Sequence, residues 1–132
     1  MRKTFQAGVK VWIADAAWRG AFGEGRARLL EGVAAHGSLR KAAAAMGMSY
    51  RKAWGDIRAA EARLGRPLII RLRGGAGGGA SCLTPFGTAL LKAYGRYKSA
   101  VMKGAAAAFR RHCSEVCGTG AATGTLHKNG QI

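Results

Sequence analysis

The segment Gly37–Leu64 constrains the fold most, because it carries start and stop signals for two short helices. Ser38 and Ser49 are each good N-caps, since a hydroxyl can accept a hydrogen bond from a first-turn N–H group. Gly47 lies between them, where a residue that tolerates positive φ can end a helix and turn the chain. Apolar residues recur at helical spacing at Leu39, Ala42, Ala43 and Met46, and again at Ala53, Ile57, Ala60 and Leu64. The pattern predicts two helices that cross closely through small side chains.

The second of these helices has a basic outward face. At roughly 100° per residue, Arg51, Gly55 and Arg58 point away from its apolar line, and Lys52 lies on the flank. Two helices joined by a short glycine-containing turn, the second with a basic face, are typical of the helix-turn-helix. In that motif the second helix enters the major groove of DNA.

The charge of the chain agrees with a polyanionic partner. The 132 residues are enough for one domain, and 22 Lys and Arg against 6 Asp and Glu give a net charge of +16. Such a field attracts nucleic acid, an anionic membrane or an acidic protein. No segment is expected to span a membrane, because the sequence lacks a run of 18 apolar residues, and we expect no membrane partner. Three cysteines are too few for a disulfide framework, so a reducing cytoplasm is the expected location.

The N-terminal third is expected to contain one strand and one helix. Residues Val9–Ile13 alternate between apolar and polar positions, which predicts a strand with one buried face. The glycine-punctuated segment Trp18–Gly25 is typical of a loop. A helix is predicted over Arg26–His36, and Gly37 ends it.

After the two-helix segment, the pattern changes to strands. Leu68–Leu72 and Ser81–Leu83 are predicted strands joined by a loop of glycine and alanine, which is the layout of a wing. Thr84 and Pro85 then mark the start of a long helix. Its apolar stripe runs through Ala89, Leu90, Tyr94, Tyr97, Val101, Ala105 and Phe109. Because this stripe extends beyond the small core, it either packs on the N-terminal strand or pairs with a second copy of the chain, and we expect the second copy.

The C-terminal segment lacks a helical pattern. We therefore predict one DNA-binding domain over residues 1–112 and a disordered tail over residues 113–132. His112, Cys113 and Cys117, with His127 downstream, are the one metal-like group, but their spacing matches structural zinc sites poorly. We predict no metal site there.

In order along the chain, the motifs resemble those of the ModE family of molybdate-responsive transcription regulators. The resemblance is carried by Phe22-Gly23-x-Gly25-Arg26, Gly37-Ser38, the segment GMSYRKAW from Gly47 to Trp54, the glycine-rich wing and Leu83-Thr84-Pro85-x-Gly87. More distantly, the same stretch is similar to the DNA-binding half of LysR-type regulators. The resemblance implies a winged-helix homodimer on DNA. Members of the ModE family continue into an oxyanion-binding part, and we expect this chain to be a single-domain member to which molybdate sensing does not carry over.

The sequence and the resemblance together predict a mainly α fold with a small β-wing: a winged helix-turn-helix with a long C-terminal dimerisation helix. Arg51 is the expected base reader, because its fork can engage O6 and N7 of guanine together. Ser49 and Tyr50 are expected to bind phosphate, whereas Trp54 is assigned to the core. The predicted DNA-contacting residues are Ser38, Arg40, Lys41, Ser49, Tyr50, Arg51, Lys52, Gly55, Arg58, Arg71 and Arg73.

Enzymatic and nucleotide-binding functions have little support in the sequence. The glycine run is followed by Ala80-Ser81-Cys82 instead of the Lys-Ser/Thr pair of a phosphate-binding loop, and the acids are scattered. We therefore expect no cofactor and no catalytic residues. The leading hypothesis is a homodimeric transcription regulator on a palindromic operator, linked to molybdate, oxyanion or metal homeostasis. The alternative is a sequence-tolerant, architectural nucleic-acid-binding protein that relies on charge.

Overall fold

The computed structural model of the chain describes residues 3–72 and 79–118. Their elements are, in order, β1 (Trp12–Ala14), β2 (Gly20–Gly23), α1 (Glu24–His36), α2 (Leu39–Ala45), α3 (Tyr50–Leu64), β3 (Ile69–Arg71), β4 (Ser81–Leu83), α4 (Pro85–His112) and α5 (Ser114–Cys117). Three helices, a two-stranded hairpin and a long helix form the predicted mainly α winged helix-turn-helix. In the described ranges, no helix combines the length and the apolar character needed to cross a bilayer.

The described chain forms two compact units. One unit is Trp12–Tyr94, and the other combines the N-terminal segment through Val11 with the described residues from Gly95 onward. The core of the first unit is built from α1, α2, α3 and the strands beside them. Its largest fully buried side chains are Phe22, Leu29, Leu30, Val33, Leu39, Ile57 and Leu68. Full burial of such a side chain stabilises the fold by about 1.5–3 kcal/mol, so this cluster fixes how the three helices pack.

Small residues set the distance between α1 and α2. A Cβ placed on Gly32 would lie 2.7 Å from the Cβ of Ala42, which is closer than real side chains approach. The close approach of α1 to α2 therefore needs both Gly32 and Ala42. The close crossing predicted from the sequence concerns α2 and α3, and it stays a prediction.

The prediction of a loop over Trp18–Gly25 was wrong. Residues 20–23 form β2, which pairs antiparallel with β1 through Trp12↔Gly23 and Ile13↔Phe22. The predicted strand over Val9–Ile13 begins only at Trp12, and α1 begins at Glu24. Burial explains the difference, because the Phe22 ring packs edge-on against Tyr94, with the ring centroids 5.3 Å apart. Local glycine content gives no hint of that distant contact.

Asp15 organises the turn between β1 and β2. Its carboxylate accepts hydrogen bonds from the backbone N–H groups of Ala17 and Arg19, at 2.9 and 3.0 Å. It also pairs with Nε of Arg19 at 2.8 Å. The hydrogen bond from the Arg19 backbone is the main reason that the pKa of Asp15 lies below its ordinary value. Trp18, which has a φ of 64°, projects from this turn and is 85% exposed.

Two arginines tie β2 to the helices on either side. Arg26 of α1 donates Nη1–H to the carbonyl oxygens of Gly20 and Ala21, at 3.2 and 2.7 Å. Arg63 of α3 also donates to the carbonyl of Gly20. Burial lowers the pKa of the Arg26 guanidinium from its ordinary value. Hydrogen bonds therefore fix β2 to α1 and α3, in addition to the contact of Phe22 with Tyr94.

The junction between the wing and α4 confirms the predicted helix start. Thr84 Oγ1 accepts a hydrogen bond from the N–H of Gly87 at 2.8 Å and donates to the carbonyl of Pro67 at 2.7 Å. A Cβ on Gly87 would lie 2.4 Å from the carbonyl oxygen of Leu68, so only glycine allows this approach. The base of the wing and the first turn of α4 are thereby held together.

Helical geometry continues past the boundary expected at Cys113. Ser114–Cys117 form the single-turn helix α5, whose last backbone groups bond back to Cys113 and Ser114. The remainder of the predicted tail, including His127, lies outside the described residues. Among residues 3–72 and 79–118, no group of three or more His, Cys, Asp or Glu side chains is close enough to hold a metal ion.

Candidate nucleic-acid interface

The turn between α2 and α3 is built as the sequence predicts. Gly47 has a φ of 67°, where a residue with a side chain would cost about 1–2 kcal/mol. Ser49 Oγ accepts the N–H of Lys52 at 3.1 Å and caps α3. At the start of α2, Ser38 Oγ accepts the N–H of Lys41 at 3.2 Å. These caps fix the angle at which α3 leaves α2.

The helix α3 separates a buried line from a basic face. Ala53, Ile57 and Ala60 are fully buried. The residues on its other face are exposed, and they are Arg51, Lys52, Gly55 and Arg58. A Cβ added to Gly55 would meet nothing within 4 Å, so this glycine leaves open space between the two arginines.

Three of the predicted DNA-contacting residues lie at the start of α2, and two of them, Arg40 and Lys41, are exposed. Ser38 is 7% exposed and its hydroxyl is used in the cap, which leaves Arg40 and Lys41 as the groups that face solvent. On α3, Lys52 pairs with Asp56 through Nζ and Oδ2 at 3.0 Å, with the two side chains 64% and 33% exposed. A pair so open to water contributes at most about 1 kcal/mol. Asp56 was not foreseen as a neighbour of the basic face.

The wing is a short antiparallel hairpin beside this face. β3 and β4 pair through Ile69↔Leu83, Ile70↔Cys82 and Arg71↔Ser81, and Leu72 N–H donates to the carbonyl of Ala80 at 2.9 Å. The predicted wing is therefore present. Arg71 is exposed on β3, whereas Arg73 lies outside the described residues.

Aromatic rings and arginines from three elements meet on α3, in what we term the arginine–aromatic cluster: Arg40, Tyr50, Trp54, Arg58 and Arg71. The Arg71 guanidinium lies 4.3 Å from the centroid of the Trp54 ring, and its Nη2 donates to the Tyr50 hydroxyl at 2.9 Å. Arg40 lies 4.3 Å from the Tyr50 centroid, and Arg58 lies 5.5 Å from that of Trp54. Guanidinium groups over aromatic faces are favourable cation–π contacts.

The assignment of Trp54 to the core was therefore wrong. Its side chain is half-buried and lies under two guanidinium groups, outside the buried core of the unit. The i, i+4 spacing of Tyr50 and Trp54 was the available signal, because residues four apart share one helix face. The contact with Arg71 could not be read from that spacing.

Glu61 fixes the strand that carries Arg71. Its Oε2 accepts the backbone N–H of Leu68 at 2.7 Å and, at the limit of 3.5 Å, that of Ile69. Because β3 begins at Ile69, the carboxylate sets where the strand leaves α3. Sequence reasoning did not single out this residue.

Comparison with known proteins shows what these elements are similar to. Residues 25–88 match the family described as bacterial regulatory helix-turn-helix protein, lysR family. The chain is 37% identical over 81 residues to the molybdenum-pterin-binding protein MopB of Rhodobacter capsulatus, covering 61% of this chain and 30% of that protein. It is 35% identical over 74 residues to the molybdenum transport protein ModE of Azotobacter vinelandii, covering 56% of this chain and 27% of that protein.

A crystal structure of ArgP from Mycobacterium tuberculosis is also similar, with a TM-score of 0.47 and 20% identity, covering 67% of this chain and 30% of that one. Among the sequence relatives, the chain spans about 30% of the length of the MopB protein. The family description names a regulatory helix-turn-helix, which agrees with the expectation that the protein is not an enzyme. Residues 25–88 are therefore similar to lysR-type bacterial regulatory helix-turn-helix proteins, and the resemblance of this part of the chain to ModE-type proteins is confirmed.

Proposed function

We propose that this protein is a DNA-binding transcription regulator that inserts α3 into the major groove of double-stranded DNA. The observation that carries the proposal is the division of α3 between a fully buried line and an exposed basic face. That face begins at the capped N-terminus after the Gly47 turn, as in helices that read base edges. The matched helix-turn-helix family supports the same function.

The residues of the face have different proposed roles. Arg51 is exposed and reads guanine through two parallel hydrogen bonds. Ser49 at the helix start, together with Arg40 and Lys41 of α2, contacts phosphates, whereas Tyr50 acts at the same surface through its hydrogen bond with Arg71. The remaining members of the proposed interface are Ser38 through its backbone, Lys52, Gly55, Arg58, Arg71 and Arg73. Gly55 allows the helix backbone to approach the base edges, since its position opens onto empty space.

We also propose that the regulator acts as a homodimer in the cytoplasm. Tyr97 is 48% exposed, and Val101 and Phe109 on the same stripe are partly buried, which suits the stripe to an interface with a second copy. A two-fold dimer requires an operator that is an imperfect palindrome, with half-sites about 34–36 Å apart or a multiple of that distance.

The regulated process is proposed from the relatives alone. Two of them are named as a molybdenum-pterin-binding protein and a molybdenum transport protein. A role in molybdate, oxyanion or metal homeostasis is the process that these names favour.

The alternative is a sequence-tolerant architectural protein. The net charge of +16 and the absence of Asp and Glu from the whole of α4 favour binding to any polyanion. A purely electrostatic binder, however, has no need for a capped recognition helix with an ordered basic face.

Selection of bound duplexes from random DNA tests the proposal. The full chain should enrich an imperfect palindrome, and its binding should weaken steeply with salt, with a slope of about 0.9 per neutralised phosphate. Enrichment of no consensus, despite a steep slope, would support the architectural alternative. A slope near zero would remove DNA binding altogether.

A further inference from the structure

The Arg71 guanidinium is held on two sides before any DNA is present. One face lies on the indole of Trp54 at 4.3 Å, and one Nη2–H group donates to the Tyr50 hydroxyl at 2.9 Å. A guanidinium has five N–H groups in a planar fork. Toward the residues that the structure describes, the other four make no hydrogen bond, which is more than the two that bidentate binding of a phosphate requires.

The position of Arg71 differs from that of a residue on a free wing. It belongs to β3, yet its side chain lies against Tyr50 and Trp54, in the first half of α3. Wing strand and recognition helix thus share one surface. Glu61 strengthens this arrangement, because its carboxylate ties the start of the wing to the last turns of α3.

Three guanidinium groups converge on the two rings. Arg40 lies over Tyr50, and both Arg58 and Arg71 contact Trp54. Like charges held close together repel one another, so this concentration favours an anionic partner. A more ordinary pair exists elsewhere in the same unit, where the single guanidinium of Arg66 lies 4.4 Å from the centroid of Phe86.

We propose that Trp54 and Tyr50 are positioning residues that hold Arg71 as a preformed clamp for a DNA backbone phosphate beside α3. The proposal rests on the proposed function, since it assumes that α3 binds DNA. Because the side chain is already ordered, binding avoids the loss of freedom that a long flexible cation suffers when it is immobilised. Phosphate contacts carry no sequence information, so the clamp strengthens binding to any duplex and sets the register of α3.

The test is a double-mutant cycle on the full chain, with a fluorescein-labelled 30-base-pair duplex of mixed sequence as the probe. Arg71→Ala should weaken binding about 2- to 10-fold and lower the salt slope by about 0.9. Trp54→Leu should weaken binding to a similar extent but keep the slope, because the charge is still present. The double variant should bind no more weakly than Arg71→Ala, and Trp54→Phe, which keeps a ring face, should restore most of the affinity.

A second cycle uses Tyr50→Phe, which removes only the hydroxyl that accepts from Arg71. Its effect should vanish in the Arg71→Ala background, whereas a Tyr50 hydroxyl that bound phosphate directly would weaken both backgrounds equally. If Trp54→Leu fails to fold, this cycle still tests whether an aromatic residue of α3 acts on DNA through Arg71. Arg66→Ala is the control for the loss of one charge over a ring, and it should change affinity less than 2-fold.

Independent, multiplicative effects in the two cycles would overturn the proposal, as would an unchanged salt slope for Arg71→Ala. Failure of the proposed function gives a different result. In that case the wild type enriches no consensus from random DNA, while the cycles on the mixed duplex still report whether the rings act through Arg71.

Discussion

The helices α3 and α4 are both basic, but they hold their cations differently. On α3, Arg58 lies over Trp54, and Lys52 pairs with Asp56. On α4, Arg96, Lys103 and Arg110 recur every seven residues, close to two helical turns, so they form one exposed line. The 28 residues of α4 contain no Asp or Glu.

The difference separates two uses of positive charge. Trp54 and Asp56 give a defined direction to Arg58 and Lys52, which flank Arg51 on the basic face of α3. Sequence recognition needs such an ordered face, because hydrogen bonds to base edges depend on geometry. A cation extended into water still attracts phosphate and releases counterions, but it distinguishes no base from another. We therefore expect α3 to supply discrimination and α4 to supply general attraction to DNA.

The largest effect is expected from Arg51→Ala. On the palindrome enriched by the wild type, this change should cost about 1–3 kcal/mol per half-site and relax preference at one symmetric base position. Arg96→Ala, which removes the same charge from α4, should weaken all duplexes slightly and alike. Repeated selection from random DNA with each variant measures both effects. An Arg51→Ala protein with the wild-type base preference would contradict the division of roles.

The next largest effect on DNA binding is expected from removal of the line of three exposed cations on α4. The triple variant Arg96→Ala, Lys103→Ala, Arg110→Ala should lower the salt slope by about 0.9 for each phosphate that the helix no longer neutralises, with an unchanged consensus. Affinity titrations at several salt concentrations measure the slope. The matched control, Arg96→Lys with Arg110→Lys, keeps the charge and should keep the slope. A changed consensus in the triple variant would show that α4 also reads sequence.

Glycines offer a comparison of the two helices that involves no charge. Added Cβ atoms at Gly55 of α3 and Gly104 of α4 would both meet nothing within 4 Å. Substitution by Ala should therefore raise the free energy of unfolding by up to about 1 kcal/mol at either site, because glycine is a poor helix former. Denaturant titration measures this gain.

The same two positions should differ in DNA binding. Gly55→Gln places a side chain between Arg51 and Arg58 and should weaken binding to the selected palindrome, whereas Gly104→Gln should not. Equal binding by the two glutamine variants would show that the face around Gly55 does not approach DNA.

The smallest effect is expected from Asp56→Asn, which makes α3 as free of acids near its basic face as α4 is. Loss of the exposed pair with Lys52 should lower the free energy of unfolding by about 0.3–0.5 kcal/mol. Affinity for a mixed-sequence duplex should rise, because a negative charge is removed beside the basic face. The ratio of the affinities for the selected palindrome and the mixed-sequence duplex should fall, because Lys52 loses its fixed direction. Glu31→Gln, an equal change of charge on the exposed surface of α1, is the control and should leave that ratio unchanged.

Local signals account for most of what the sequence predicted correctly. The caps at Ser38, Ser49 and Thr84 and the turn at Gly47 act within four residues, so their chemistry is visible in the sequence. Periodicity likewise separated Ile57 from Arg58. These features were enough to predict the helix-turn-helix, the wing and the start of α4.

The errors involve contacts between distant residues. β2 was missed because the Phe22 ring is buried against Tyr94, 72 residues further along the chain. Trp54 was placed in the core because its neighbour Arg71 comes from another element. No local pattern shows whether an aromatic side chain on the flank of a helix is covered by apolar groups or by cations.

The ratio of affinities for the selected palindrome and for a scrambled duplex of the same length tests the central claim most directly. At physiological salt the wild type should show a ratio of about 10³ or more, as sequence-specific regulators do. Arg51→Ala should lose much of that ratio, and the triple variant of α4 should retain it while binding both duplexes more weakly. A wild-type ratio near one, or a ratio that falls in the α4 variant and not in Arg51→Ala, would contradict the account.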